Sequence, residues 1–146
     1  MKKIGLILIM SLMSILPVLA KKTYCHDGSC LPTAATVVLK KNFKSQVSLV
    51  KVDKDFGRVS EYEVVLRDGT EVTFDKAGNW KEIETSNRSK VPDSMIPAPI
   101  LQYVKEHQNK AKIVGIEKDR MGYEVTLNNG VEMKFDRAAR FLKYDD

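Results

Sequence analysis

The sequence predicts an α+β protein in which a unit of one helix and a four-stranded antiparallel meander occurs twice, the units joining into one antiparallel sheet with both helices on one face. Three observations predict it. Residues 62–75 lie without a gap over residues 123–136, and self-similarity at a fixed spacing implies a repeated supersecondary unit. Within each copy apolar and polar residues alternate, Tyr62, Val64 and Leu66 against Glu63, Val65 and Arg67, as in strands covered on one side. Ahead of each copy stands an apolar stretch at helical spacing opened by proline, Leu31-Pro32 and Ile96-Pro97, where a missing N–H costs nothing.

The chain has 146 residues, 43% hydrophobic and 29% charged, which suits a single soluble domain. Its formal charge is +5, but the signs are interspersed and no basic run exceeds two residues. That pattern favours solubility and excludes a nucleic-acid footprint. Met1-Lys2-Lys3, an apolar run, Pro17 and the small pair Val18 and Ala20 form a secretory signal over residues 1–20, cleaved after Ala20. Cleavage leaves 22 basic against 19 acidic side chains, no stable membrane anchor, and a protein in the periplasm or secreted from a bacterium. Cys25 lacks the small residues that precede a lipidated cysteine.

Residues 21–30 form an N-terminal segment holding the two cysteines, Cys25 and Cys30. Export favours a local disulfide between them. Two sharper alternatives are a redox pair and a metal site using Cys25, His26, Asp27 and Cys30. Redox pairs normally enclose two residues rather than four, and a structural zinc site wants a second ligand pair.

The first unit spans residues 31–84, a polar connector residues 85–95, and the second unit residues 96–146. Ile100, Leu101, Tyr103, Val104 and His107 fall at helical spacing; Val37, Val38, Leu39 and Phe43 do so less well, since adjacent valines are mediocre helix formers. Upstream apolar pairs, Val50 with Val52 and Val114 with Ile116, align as the first strands. Face consistency sets the next turn. A two-residue loop at Asp68-Gly69 would pair Leu66 with Glu71 and drag a carboxylate into the core. A three-residue loop, Arg67-Asp68-Gly69, pairs Leu66 with Thr70, Val64 with Val72 and Tyr62 with Phe74, and gives glycine the left-handed position. The same loop at Asn128-Asn129-Gly130 pairs Tyr123 with Phe135 inside and Glu124 with Lys134 outside. The following turn, Asp75-Lys76-Ala77-Gly78, ends on glycine, whereas its counterpart has Ala139. Alternation does not settle the faces of residues 80–84 and 141–145.

The motif Tyr-Glu-Val-x-Leu-x-Asp/Asn-Gly-x-Glu-x-x-Phe-Asp, with Gly78-x-Trp80, Pro97-x-x-Ile100-x-x-Tyr103-Val104 and Ile113-Val114-x-Ile116-Glu117, resembles the PepSY-like, β-lactamase-inhibitor-like domain of secreted bacterial proteins. The resemblance covers nearly all of residues 31–146. It implies a tandem helix-plus-four-strand fold, a periplasmic location and no enzymatic activity. In the β-lactamase inhibitor the contacts come from a concave sheet and a loop with an acidic residue and aromatics. That loop has no alignable motif here, so no inhibitory residue carries over.

Candidate sites follow. Asp53-Lys54-Asp55-Phe56-Gly57-Arg58 reads as a longer hairpin than residues 117–122, and Asp53 and Asp55 are a weak calcium candidate because the third and terminal acidic ligands of such a loop are missing. Phe56 at the tip is either a partner anchor or folded back on the sheet. Glu63 with Glu71, and Glu124 with Glu132, fall on the solvated face, where no pocket tunes a catalytic acid. There is no Gly-x-Ser-x-Gly, and neither histidine has a discernible acid partner. No cofactor is expected. The expected function is non-catalytic binding of an unidentified periplasmic protein, an envelope hydrolase being one candidate, through the open sheet face and loops, with Phe56, Arg58, Glu63, Glu71, Glu124 and Lys134 as contact residues. The alternative is a small-ligand or calcium-responsive sensor using the Asp53/Asp55 loop.

Overall fold

The structure, a computed structural model, describes residues 20–86 and 88–145; the expected signal, residues 1–20, lies outside them apart from Ala20. Strand β1 (Ala20–Cys25) is followed by helix α1 (Thr33–Asn42) and by strands β2 (Val47–Asp55), β3 (Arg58–Leu66), β4 (Glu71–Asp75) and β5 (Trp80–Glu84). A 3₁₀ turn (Asp93–Met95) leads into helix α2 (Ala98–His107), and strands β6 (Ile113–Lys118), β7 (Gly122–Leu127), β8 (Glu132–Asp136) and β9 (Phe141–Asp145) complete the chain. The nine strands form one open antiparallel sheet in sequence order, β1 to β9.

The core follows from the ladder. Cross-strand partners point the same way, and one row runs through every strand: Cys25, Val50, Val64, Val72, Ile83, Ile116, Val125, Met133 and Tyr144. The strand residues from Val50 to Met133 in that row are buried. Ala35 and Leu39 of α1 and Ile100 and Val104 of α2 join the same cluster, so both helices lie on that one face. Among the described residues no helix is long and apolar enough to cross a membrane.

The turns form as face consistency requires. Leu66 N–H donates to the Thr70 carbonyl at 2.8 Å, Gly69 has φ +88°, and Val64 pairs Val72. Glu124 pairs Lys134, with Tyr123 opposite Phe135. Asp75 and Asp136 each cap their turn by accepting backbone N–H groups, from Ala77 and Asn79 and from Ala138 and Arg140.

Five expectations need correction. Two four-stranded units imply eight strands, but the N-terminal segment adds a ninth, Ala20–Cys25 pairing with β2. Val37 points outward at 56% exposed, and Ala35 takes the buried position, because one four-residue step from Leu39 defines the stripe. The apolar pairs align differently: Val50 faces Val64 and Ile116 faces Val125, so Val50 corresponds to Ile116 and Val52 to Lys118. Both strands carry the same bulge, between Val47 and Leu49 and between Ile113 and Gly115, so the offset arises instead from the longer hairpin arms of the first half, nine-residue β2 and β3 against six-residue β6 and β7. The connector is not wholly polar packing: Val91 is fully buried, and its N–H donates to the Ile113 carbonyl at 2.8 Å. Finally, Asp53 and Asp55 belong to β2, and the hairpin closes through Phe56-Gly57 alone, both at positive φ. The turn itself is tight, while the hairpin it closes is the longer of the two, with nine-residue strands against the six-residue β6 and β7.

Candidate functional site

The face away from the helices is also a set of ladder rows. The central one reads Tyr24, Lys51, Glu63, Thr73, Glu82, Glu117, Glu124, Lys134 and Lys143 from β1 to β9. Beside it run Glu71, Glu84, Gly115, Thr126, Glu132 and Asp145 on one side and Asp53, Glu61 and Asp75 on the other. Glu63, Glu71, Glu124 and Lys134 therefore share one surface, as their alternation implies. Several acids stand directly opposite acids, among them Glu71 with Glu84, Glu82 with Glu117 and Glu117 with Glu124. Like charges so placed destabilise a sheet.

Two bulges decide which residues reach this face. Between Thr73 and Phe74 the ladder shifts so that Trp80 pairs Phe74 while Glu82 pairs Thr73. The extra residue, Lys81, reaches Glu61 at 3.0 Å. In β9 the same shift turns Phe141 inward and leaves Leu142 58% exposed. Alternation could not place these strands because a bulge breaks the period of two. Glu82, Glu84 and Asp145 were consequently missed as members of the surface, and Glu117 was missed because residues 117–122 read as a hairpin, whereas it pairs within the ladder.

At the centre lies a hollow of about 290 Å³ lined by Glu61, Glu63, Glu71, Glu82, Glu84 and Glu117 with Thr73 and Lys81. Burial, then the neighbouring Glu84 and Glu117 carboxylates, push the Glu82 acid up to about 7. Lys51 bonds Glu63 at 2.8 Å, and that hydrogen bond raises the lysine. Towards the β9 edge, oxygens of Glu124, Glu132 and Asp145 lie within 4.8 Å of one another, but Lys134 approaches Asp145 at 3.1 Å and holds its acid below the usual carboxylate range.

Phe56 stands 78% exposed on its turn, and Met121 79% exposed on the β6–β7 turn at the same end of the sheet. Phe56 does not fold back. Arg58 opens β3 opposite Asp55. Asp53 is 3.7 Å from Lys22, and its carbonyl accepts from the Ser60 hydroxyl. Asp53 and Asp55 form no three-acid cluster among the described residues, whereas Glu124, Glu132 and Asp145 do. Cys25 and Cys30 are joined in a disulfide, so the cysteine pair is a staple beside β1. His107 stacks on Tyr103 at the end of α2 with ring centroids 3.9 Å apart.

Comparison with known proteins places this geometry. Residues 60–143 match the family model described as putative beta-lactamase-inhibitor-like, PepSY-like. A crystal structure of a protein from Bacteroides vulgatus described as a putative periplasmic protein of unknown function is 39% identical with a TM-score of 0.80, covering 86% of this chain and 100% of that one. A protein from Bacteroides thetaiotaomicron described as putatively calcium-regulated and periplasmic is 36% identical with a TM-score of 0.77, covering 86% and 97%. A third, described as a putative periplasmic protein of the DUF2874 family from Bacteroides vulgatus, is 31% identical with a TM-score of 0.76, covering 86% and 98%. The comparison with curated proteins returned no match. The protein is periplasmic, and the chain belongs to the PepSY-like, β-lactamase-inhibitor-like family.

Proposed function

We propose that this protein is a non-catalytic periplasmic binding protein, built from two copies of one helix-and-meander unit, that docks a protein partner on its open sheet face. The observation that carries the proposal is the set of like-charged pairs across that face. Glu71 with Glu84, Glu82 with Glu117 and Glu117 with Glu124 lower the stability of the free sheet, as expected of residues kept for a contact rather than for folding. Exposed Phe56 and Met121 supply apolar anchors at one end, where large side chains dominate interface energetics. Inhibition of an envelope hydrolase is the activity the family description suggests. The test is capture from native envelope extract by residues 21–146, followed by affinity measurement with the purified partner. Phe56→Ala with Glu71→Lys is expected to weaken binding at least tenfold. Unchanged affinity would move the site off this face.

A second reading is calcium response, favoured by the approach of Glu124, Glu132 and Asp145 and by the description of the Bacteroides thetaiotaomicron relative. It moves the ion from Asp53 and Asp55 to the β7–β9 edge, where three carboxylate oxygens suit a hard cation once Lys134 is displaced. Millimolar calcium should then raise Tm, and Glu132→Gln should abolish the rise. A Tm indifferent to calcium would remove this reading.

A further inference from the structure

We propose that the cleft between the C-terminal half of α1, the Cys25–Cys30 loop and the β3–β4 turn binds an amphipathic anion, an aliphatic chain ending in a carboxylate. The cleft holds about 560 Å³, within the range of small-ligand sites. Leu31, Phe43 and Val47, each half-buried, and the buried Leu39 form an apolar floor. Lys40, Lys44 and Arg67 stand exposed at the rim. Lys40 and Lys44 come from the end of α1 and the residues just after it, and Arg67 from the β3–β4 turn, so two separate stretches of chain bring cations to one opening.

Among the described residues none of these three cations has a carboxylate within 4.0 Å. Asp27, at the rim, already accepts from the Ser29 N–H at 3.0 Å. Lys40 in the last helical turn is accounted for by the helix dipole, but Lys44 and Arg67 lie beyond the helix, and the turn residue matching Arg67 in the second half is Asn128. A free carboxylate would satisfy this arrangement through charge-assisted hydrogen bonds, while its chain covers the floor.

The matching cleft of the second half, about 540 Å³, is finished differently. There Val91 from the connector is fully buried and bonded to Ile113, Lys90 has Asp93 at 3.5 Å, and Arg88, Lys105 and Lys112 also stand at the opening. Val47 is the ladder counterpart of Ile113, since they face Leu66 and Leu127. Over Val47 stands Gly28, where even a Cβ would lie against Val47 and Leu31 at 3.6 and 3.7 Å. The two clefts are of similar volume, and they differ in what lines them: Gly28 over Val47 in the first and the buried Val91 beside Ile113 in the second.

The test uses residues 21–146, ¹⁵N-labelled, titrated with decanoate below its micelle threshold, with acetyl-Leu-Leu-Leu as the free acid, and with decyltrimethylammonium. Saturable amide shifts at Gly28, Lys44 to Val47 and Arg67 are expected with at least one anion. Lys44→Glu with Arg67→Glu, at exposed positions, is expected to weaken that binding at least tenfold, and Lys44→Gln with Arg67→Gln serves if the reversal harms folding. Response to decanoate alone assigns the ligand to free fatty acids, and response to the tripeptide assigns it to apolar peptide C-termini. No saturable shift with either anion, equal binding of the cationic amphiphile, or unchanged affinity in a folded variant would overturn the proposal. Phe56→Ala with Glu71→Lys should leave this site intact, which separates it from the open face.

Discussion

Val64, Leu66, Val72 and Phe74 in the first half of the molecule stand where Val125, Leu127, Met133 and Phe135 stand in the second, paired to the same ladder neighbours. On the other face the halves part company: Thr73 corresponds to Lys134, Glu82 to Lys143 and Glu61 to Gly122. The inner positions share one closely packed core, where a methylene gained or lost is felt. Thr73, Lys134, Glu82 and Lys143 meet solvent and are free to differ, whereas Gly122 is buried and is fixed by its backbone. Position in the sheet adds a second difference. β5 is enclosed between β4 and β6, whereas its counterpart β9 is an edge, and Lys143 on that edge discourages further strand pairing.

The largest test of this comparison is Gly122→Ala. At φ +143° a Cβ there would fall 2.1 Å from the Phe135 carbonyl, so a loss of about 3 kcal/mol or more is expected. Glu61→Ala, at the matching position, loses a partly exposed ion pair with Lys81 and should cost about 1 kcal/mol or less. Equal effects in denaturant unfolding would refute the claim that these positions differ in backbone demand.

Next comes the β4–β5 turn against the β8–β9 turn. A Cβ on Gly78 would meet the Ala35 backbone nitrogen at 2.9 Å, at φ +89°, and Gly78→Ala should cost about 2 kcal/mol from backbone strain alone. Ala139 already holds φ +62° and is buried. Ala139→Gly relieves about 1 kcal/mol of strain and forfeits about 0.8 kcal/mol of methyl burial, so Tm should barely move. A comparable shift in both variants would mean that α1 does not press on its turn as closely as the distances indicate.

The disulfide staples only the first half. Cys25→Ser with Cys30→Ser should cost about 2 kcal/mol on the loop-entropy model, seen in hydrogen exchange as faster opening of β1 while β6–β9 stay protected. Uniform loss of protection would show the halves unfolding as one unit.

The smallest effect is the pH dependence of Glu82. Its folded acid, at about 7, lies above its ordinary value, so the folded state binds this proton more tightly than the unfolded chain. Stability from this group is complete at acid pH, falls as pH rises towards 7 and levels off above it. Glu82→Gln should therefore raise Tm more at pH 8 than at pH 5. Lys143→Gln, at the matching edge position, should show no such trend, and a parallel trend in both would dissociate the effect from the central acids.

Much of this was legible beforehand. The turn at Arg67-Asp68-Gly69 followed from keeping Glu71 out of the core, and the pairings of Val64 and of Glu124 followed with it. Glu63, Glu71, Glu124 and Lys134 were placed on one face by alternation. Glu82, Glu84 and Asp145 escaped because bulges at Thr73 and Lys134 interrupt the period on which face assignment depends. β1 escaped because Lys22, Thr23 and Tyr24 all remain exposed and so leave no apolar stripe.

By itself, then, the sequence determined both helices, eight of the nine strands, the turn lengths between central strands and the inner face, because burial constrains side-chain type at every second or fourth residue. Only the tertiary structure decided the ladder rows of the open face, the ninth strand and the cleft beneath α1. Those depend on bulges, on backbone hydrogen bonds at a sheet edge and on cations from two separate segments, and long-range pairing that does not bury a side chain leaves no period to read.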